Sequence, residues 1–185
     1  MTTSNRSSSA SILRRIERLF LKKKTSRPRR RVASSRPKRE EPRINDPFLF
    51  EVWMNLREEY FPDRQELDSY HVTWSSRRQK RVLASCNIRR RKVTVARELF
   101  EPSACRWIAP VLYHELCHAV IGEGVHLSGG KRQWHGQQFR ELEARHPDIE
   151  AMNYWIRSGG WAMAVRSNRA RSAWTQRKAM PPARA

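Results

Sequence analysis

An α+β domain held between two basic tails is the architecture that this 185-residue sequence predicts. Three observations predict it. The net charge of +20 is uneven: +11 falls on residues 1–46, +3 on 47–161 and +6 on 162–185. Only the middle is near neutral, and the Trp, Phe, Tyr and Ile residues gather there. A body over 47–161 can therefore build a core, while the tails 1–46 and 162–185 are expected to be disordered. Within that body, apolar residues recur every three to four positions around Trp53, Leu116 and Phe139, which is the helical period. Short alternating or β-branched runs fill the stretch between 70 and 96, which is the period of strands.

In chain order, residues 1–10 are rich in Ser and Thr. Residues 11–24 place Ile12, Leu13, Ile16, Leu19 and Phe20 on one face of a basic amphipathic helix. Such a segment suits a partner, an anionic membrane surface or an organelle-targeting role. Residues 25–46 hold three prolines among basic residues and read as an extended linker. The body opens with a helix over about 47–60: Asn45 or Asp46 caps it, Pro47 suits its first position and Pro62 ends it. Strands are expected at Tyr70–Trp74, Val82–Ala84 and Lys92–Ala96. A helix over about 110–121 follows, with Ser103 as an upstream cap candidate, Pro110 as a kink or a first-turn residue, and Gly122 as its stop. A glycine-rich loop leads to Trp134, then a helix over about 136–145, then a short helical stretch from Pro147.

Several function classes are excluded on composition. No apolar run approaches the ~20 residues that span a bilayer. Cys86, Cys105 and Cys117 are too few and too scattered for a disulfide framework or a four-thiolate site, and they fit a reducing compartment. With no apolar leader and cleavage site visible, the expected location is intracellular (cytoplasmic, nucleoid or nuclear), with organelle targeting by residues 1–30 as the alternative.

The chemistry lies in His114-Glu115-Leu116-Cys117-His118. On a helix, residues i and i+4 share a face, so both imidazoles can reach one metal ion. Glu115 is rotated by roughly 100° and is placed to deprotonate a metal-bound water rather than to ligate. Chance produces this pattern about 0.01–0.02 times in a chain of this composition. A catalytic zinc needs a third ligand, with water in the fourth position. His126, His135, Glu141, Glu143 and His146 are the downstream candidates, and residue chemistry ranks His135 first, then Glu141, then His126. Metzincin spacing is excluded, because Ile121 and Gly124 stand where it needs Gly and His.

HELCHA (His114–Ala119) together with WHGQQF (Trp134–Phe139) resembles the SprT-like domain, a zincin related to the Spartan family of DNA-dependent metalloproteases. RRRKVTVARELFEP, upstream, resembles it less specifically. The resemblance implies a zincin-like α+β fold. It also implies a Zn²⁺ cofactor held by His114, His118 and His135, Glu115 as general base, and a protein or peptide substrate. A related family of bacterial metal-dependent hydrolases shares HELCH but continues His-Ser-x-x-Phe, and Gly136 places this chain on the SprT-like side. The paired cysteines of the zinc ribbon often found downstream in the family are missing.

Tyr113 and Arg140 are weighed as oxyanion stabilisers near the cleft, with packing or surface roles as the commoner alternative. Cys117 is read as buried filler, and Trp134 as a cleft wall or a loop anchor. Arg77, Arg78, Lys80, Arg81, Arg89, Arg90, Arg91 and Lys92 carry no acid among them. With the tails they make an electrostatic footprint for sequence-independent contact with nucleic acid. The primary expectation is thus a zinc metallopeptidase acting on DNA-associated or unfolded proteins. The alternatives are a nucleic-acid-associated zinc-binding protein without protease activity, and a non-peptidase metal-dependent hydrolase. The oligomeric state has no signature in the sequence.

Overall fold

The structure, a computed structural model, describes residues 44–122, 127–128 and 131–179. The chain divides into two units, Met1–Ile44 and Asn45–Ala185, and every element below belongs to the second. The expected amphipathic helix at 11–24, the linker up to residue 43, His126 and the glycines at 124, 129 and 130 lie outside the described residues.

Helix α1 spans Pro47–Tyr60. Asp46 caps it, its Oδ1 accepting from the Leu49 amide at 3.1 Å, and Pro47 takes the first turn, where no amide donor is needed. Leu49, Trp53 and Leu56 form the buried stripe that their spacing predicts. The Trp53 indole stacks on Tyr70 and donates to the Leu67 carbonyl at 3.0 Å, which ties the following 3-10 turn, Gln65–Ser69, to the helix.

Strands β1 (His71–Trp74), β2 (Ala84–Asn87) and β3 (Lys92–Val95) form a mixed sheet in the order β1-β3-β2. The β1–β3 pairing is parallel and β2–β3 antiparallel, with Cys86 opposite Val93. The second strand in sequence is displaced from its expected place: Val82–Ala84 supplies only the entry, and pairing begins at Ala84. The polar run Ala84-Ser85-Cys86-Asn87 can serve because β2 is an edge strand with one solvent-facing side.

Two 3-10 turns, Arg97–Phe100 and Cys105–Trp107, lead into helix α2, Ile108–Ile121. Trp107, not Ser103, occupies the N-cap, and Pro110 falls in the first turn, so it leaves the helix unkinked at no hydrogen-bond cost. Gly122 ends α2 with φ +65°, a conformation that a side chain would resist. A two-stranded antiparallel ribbon follows, β4 (Leu127–Ser128) with β5 (Lys131–Arg132). Its signal in the sequence is the Gly129-Gly130 pair between the strands. Helices α3 (Gln137–Glu143), α4 (Ile149–Arg157) and α5 (Gly160–Ala179) complete the fold.

Helix α5 corrects the expectation that 162–185 is a disordered tail. The segment is helical to Ala179, with Trp161, Ala164 and Val165 buried. Its Ser167 hydroxyl and Arg171 guanidinium both reach the buried Glu101 carboxylate. Its charge is high, but its apolar stripe is enough to dock it. Trp53, Trp107 and Trp161 are core residues, and Trp74 and Trp155 are packed against the core. No helix among the described residues is long and apolar enough to cross a membrane.

Candidate metal centre

Helix α2 is apolar on nearly every side because α1, β2 and α3 all pack on it. That burial gives the helical spacing of His114 and His118 a fixed direction. The ribbon then returns the chain so that His135 arrives just before α3. The three imidazoles converge: ring centroids lie 4.9 Å apart for His114–His118, 5.3 Å for His114–His135 and 4.9 Å for His118–His135. One ligating atom from each lies within 4.8 Å of the others. Nε2 of His118 and Nε2 of His135 face each other at 3.1 Å. Two imidazole nitrogens on one tetrahedral ion would stand roughly 3.3 Å apart, so this donor set fits a single metal ion. Among the described residues this is the group of His, Cys, Asp and Glu side chains that can hold one.

Phe139 forms the floor. Its ring packs at 4.5 Å from His118, 4.7 Å from His135 and 5.0 Å from His114. Burial inside this shell holds the His118 imidazole down at about 2 and His135 at about 4, with the neighbouring imidazoles adding to the effect. Both rings are therefore neutral at neutral pH and present a lone pair, which is the form a metal needs. His114 is the exception: burial lowers its pKa, yet the carboxylate of Glu143 on its Nδ1 outweighs burial and the net shift is upward. That contact is 2.6 Å long.

Glu115 is buried, and burial raises its carboxyl to about 7 against the pull of His114 and of a hydrogen bond from the Cys86 amide. The edge strand β2 thus anchors the acid of the motif through a main-chain donor. No residue-type pattern in a sequence announces such a contact.

The other candidates separate cleanly. Glu141 accepts from Gln137 at 2.8 Å and stands outside the cluster. Glu143 contacts His114 rather than joining the ligand set. His146 is packed away between Tyr60 and Tyr113. The Tyr113 hydroxyl is buried and donates to the Leu142 carbonyl at 2.8 Å, so it pins α2 to α3. Arg140 donates to the His135 carbonyl at 3.0 Å and so braces the loop that carries this imidazole. Cys117 is buried, and burial pushes its thiol up to about 12. Trp134 lies 6.5 Å from the His118 ring and walls a cavity of about 350 Å³, together with Ile121, Gln137, Phe139 and Glu141.

The eight basic residues are all exposed, but they form two groups. Arg77, Arg78, Lys80 and Arg81 lie in the β1–β2 connection. Arg89, Arg90 and Arg91 lie in the β2–β3 turn, and Lys92 begins β3. The four residues of β2 separate them by roughly 13 Å.

A search of curated proteins finds no match to this chain. The family model described as SprT-like matches residues 49–153, a span that opens in α1 and closes in α4 and encloses the whole imidazole cluster. With more than half of its length matched, this chain belongs to the SprT-like family.

Proposed function

We propose that this protein is a zinc-dependent metallopeptidase, with residues 47–161 as its catalytic body. The observation that carries the reading is the convergence of His114, His118 and His135 on one point, with Glu115 buried one residue from the first of them. Three imidazoles match the ligand set of a catalytic zinc with one position left for water. Bound there, the ion supplies a water of lowered pKa and polarises the carbonyl under attack. Glu115 takes the proton from the water at its carboxylate and delivers it to the leaving amine. Membership of the SprT-like family agrees with this chemistry.

The test is metal analysis together with casein and histone cleavage, with and without single-stranded DNA. The native chain is expected to carry one zinc and to cleave. Glu115→Gln is expected to keep the zinc and lose cleavage by at least ~100-fold, as removal of a general base does. Zinc retained in both forms with no cleavage by either would overturn the enzyme reading. In that case a zinc-bearing nucleic-acid-binding protein is the better description, which the two exposed basic groups favour.

A further inference from the structure

We propose that Glu143 is a positioning residue of the metal centre: it fixes which nitrogen His114 offers to the ion and supplies part of the negative charge that a buried dication needs. The proposal rests on the reading that the three imidazoles hold zinc. Glu143 Oε1 lies 2.6 Å from His114 Nδ1, and both side chains are only 12% exposed. At that distance the Nδ1 proton belongs to the contact, with the carboxylate accepting. An imidazole that donates from Nδ1 must ligate through Nε2, so the carboxylate selects the tautomer and the ring orientation together.

Charge points the same way. An imidazole that ligates a metal through its lone pair brings no negative charge, and a dication out of water is costly unless it is compensated. Glu115 and Glu143 are the carboxylates whose fields act on His114. Of the two, Glu143 takes no part in the proposed proton transfer, so its charge stays beside the site throughout.

The delivery of Glu143 also argues against an incidental ion pair. It closes α3, the helix that begins just after His135 and carries Phe139. The neighbouring Leu142 carbonyl is held by the Tyr113 hydroxyl, one residue before His114. One short helix therefore sets the third ligand, the floor under all three rings and the partner of the first ligand, and α2 grips it at the position next to the contact.

The experiment measures zinc dissociation constants by competition with a chromophoric chelator on the full chain. Cobalt(II) spectra and melting temperatures of the metal-free forms accompany it. Glu143→Ala is expected to weaken zinc ~10–100-fold and to shift the cobalt bands. Glu143→Gln keeps an acceptor for Nδ1–H but not the charge, so it should fall between the native chain and Glu143→Ala. Glu150→Gln, exposed on α4, should match the native chain. Native zinc affinity and cobalt spectrum in Glu143→Ala, with only a lower metal-free melting temperature, would reduce Glu143 to a structural tie and overturn the proposal. If Glu143→Ala fails to fold, Glu143→Gln decides, and native affinity there overturns it as well. A native chain that binds zinc but cleaves nothing, with the same affinity series, supports Glu143 and sinks the peptidase reading alone. A native chain that binds no zinc sinks both.

Discussion

His114, His118 and His146 are all histidines in a shell of aromatic rings, yet their partners make them different chemical objects. His118 faces other imidazoles and Phe139, and burial keeps it neutral. His114 faces a carboxylate and is shifted the opposite way. His146 has neither role: it is packed between Tyr60 and Tyr113, and its Nδ1 accepts from the Asp148 amide at 3.2 Å. Burial lowers its pKa despite the pull of Asp148 and Glu59. The sign of its effect on stability follows. A histidine depressed in the folded state binds its proton more readily when unfolded, so its contribution is complete above the unfolded pKa of about 6.5. It is lost as pH falls from there through the folded pKa. We expect His146→Gln to lower the melting temperature at pH 7.5 through lost packing, but to flatten its decline on acidification. Melting curves of both forms between about pH 7.5 and 5 check this, and parallel declines would refute it.

At the scale of elements, Gly160 marks where two helices meet. A Cβ there would run into the indole of Trp155, whose ring lies against the start of α5 and 5.5 Å from Trp107. Gly159 before it has φ +89°. The pair makes a turn that a side chain would obstruct twice, once by conformation and once by contact. Gly160→Ala should cost about 1–3 kcal/mol, the usual range for overpacking. Urea denaturation measures it, with Ser158→Ala as the exposed comparison, and an unchanged midpoint would show that Trp155 yields freely. Most of the elements were legible in sequence for the same reason that these contacts exist. Long periodic stretches such as 47–60 and 108–121 declare their buried face, and the cap, the first-turn proline and the stop glycine declare their ends. The edge strand was misplaced by two residues because Ser85, Cys86 and Asn87 pack on one side only and carry no strand-like composition. The β4–β5 ribbon differs from the expected loop because two-residue strands have no period to detect. The three imidazoles that converge lie in motifs legible in the sequence. The Cys86 amide and the tie from Glu143 to His114 are not legible there, since one is backbone and the other spans 29 residues between two helices.

For the unit Asn45–Ala185 as a whole, the informative error concerns α5. Charge composition assigned 162–185 to a solvated tail, since it holds six basic residues and no acid. Composition weighs every side chain equally, whereas docking needs only one stripe. Trp161, Ala164 and Val165 supply that stripe, the Trp161 indole donates to the Lys80 carbonyl at 3.2 Å, and Glu101 supplies the polar anchor. Glu101 is buried and takes both Ser167 and Arg171, so the helix also supplies the polar partners of a buried carboxylate. A chain ending after Trp161 should therefore lose more than contact area. Val165 alone contributes about 1.5–3 kcal/mol. The Arg171 pair adds less than a fully buried one, because the guanidinium is 54% exposed and water screens it. The expected fall in melting temperature is about 5 °C or more. Replacing Glu101 with Gln separates the two causes. In the full chain it removes a favourable pair and should destabilise. In the shortened chain, where Ser167 and Arg171 are gone, it should change little. Calorimetry of the four proteins reads this difference directly, and a shortened chain that melts with the full one would return α5 to the status of a tail.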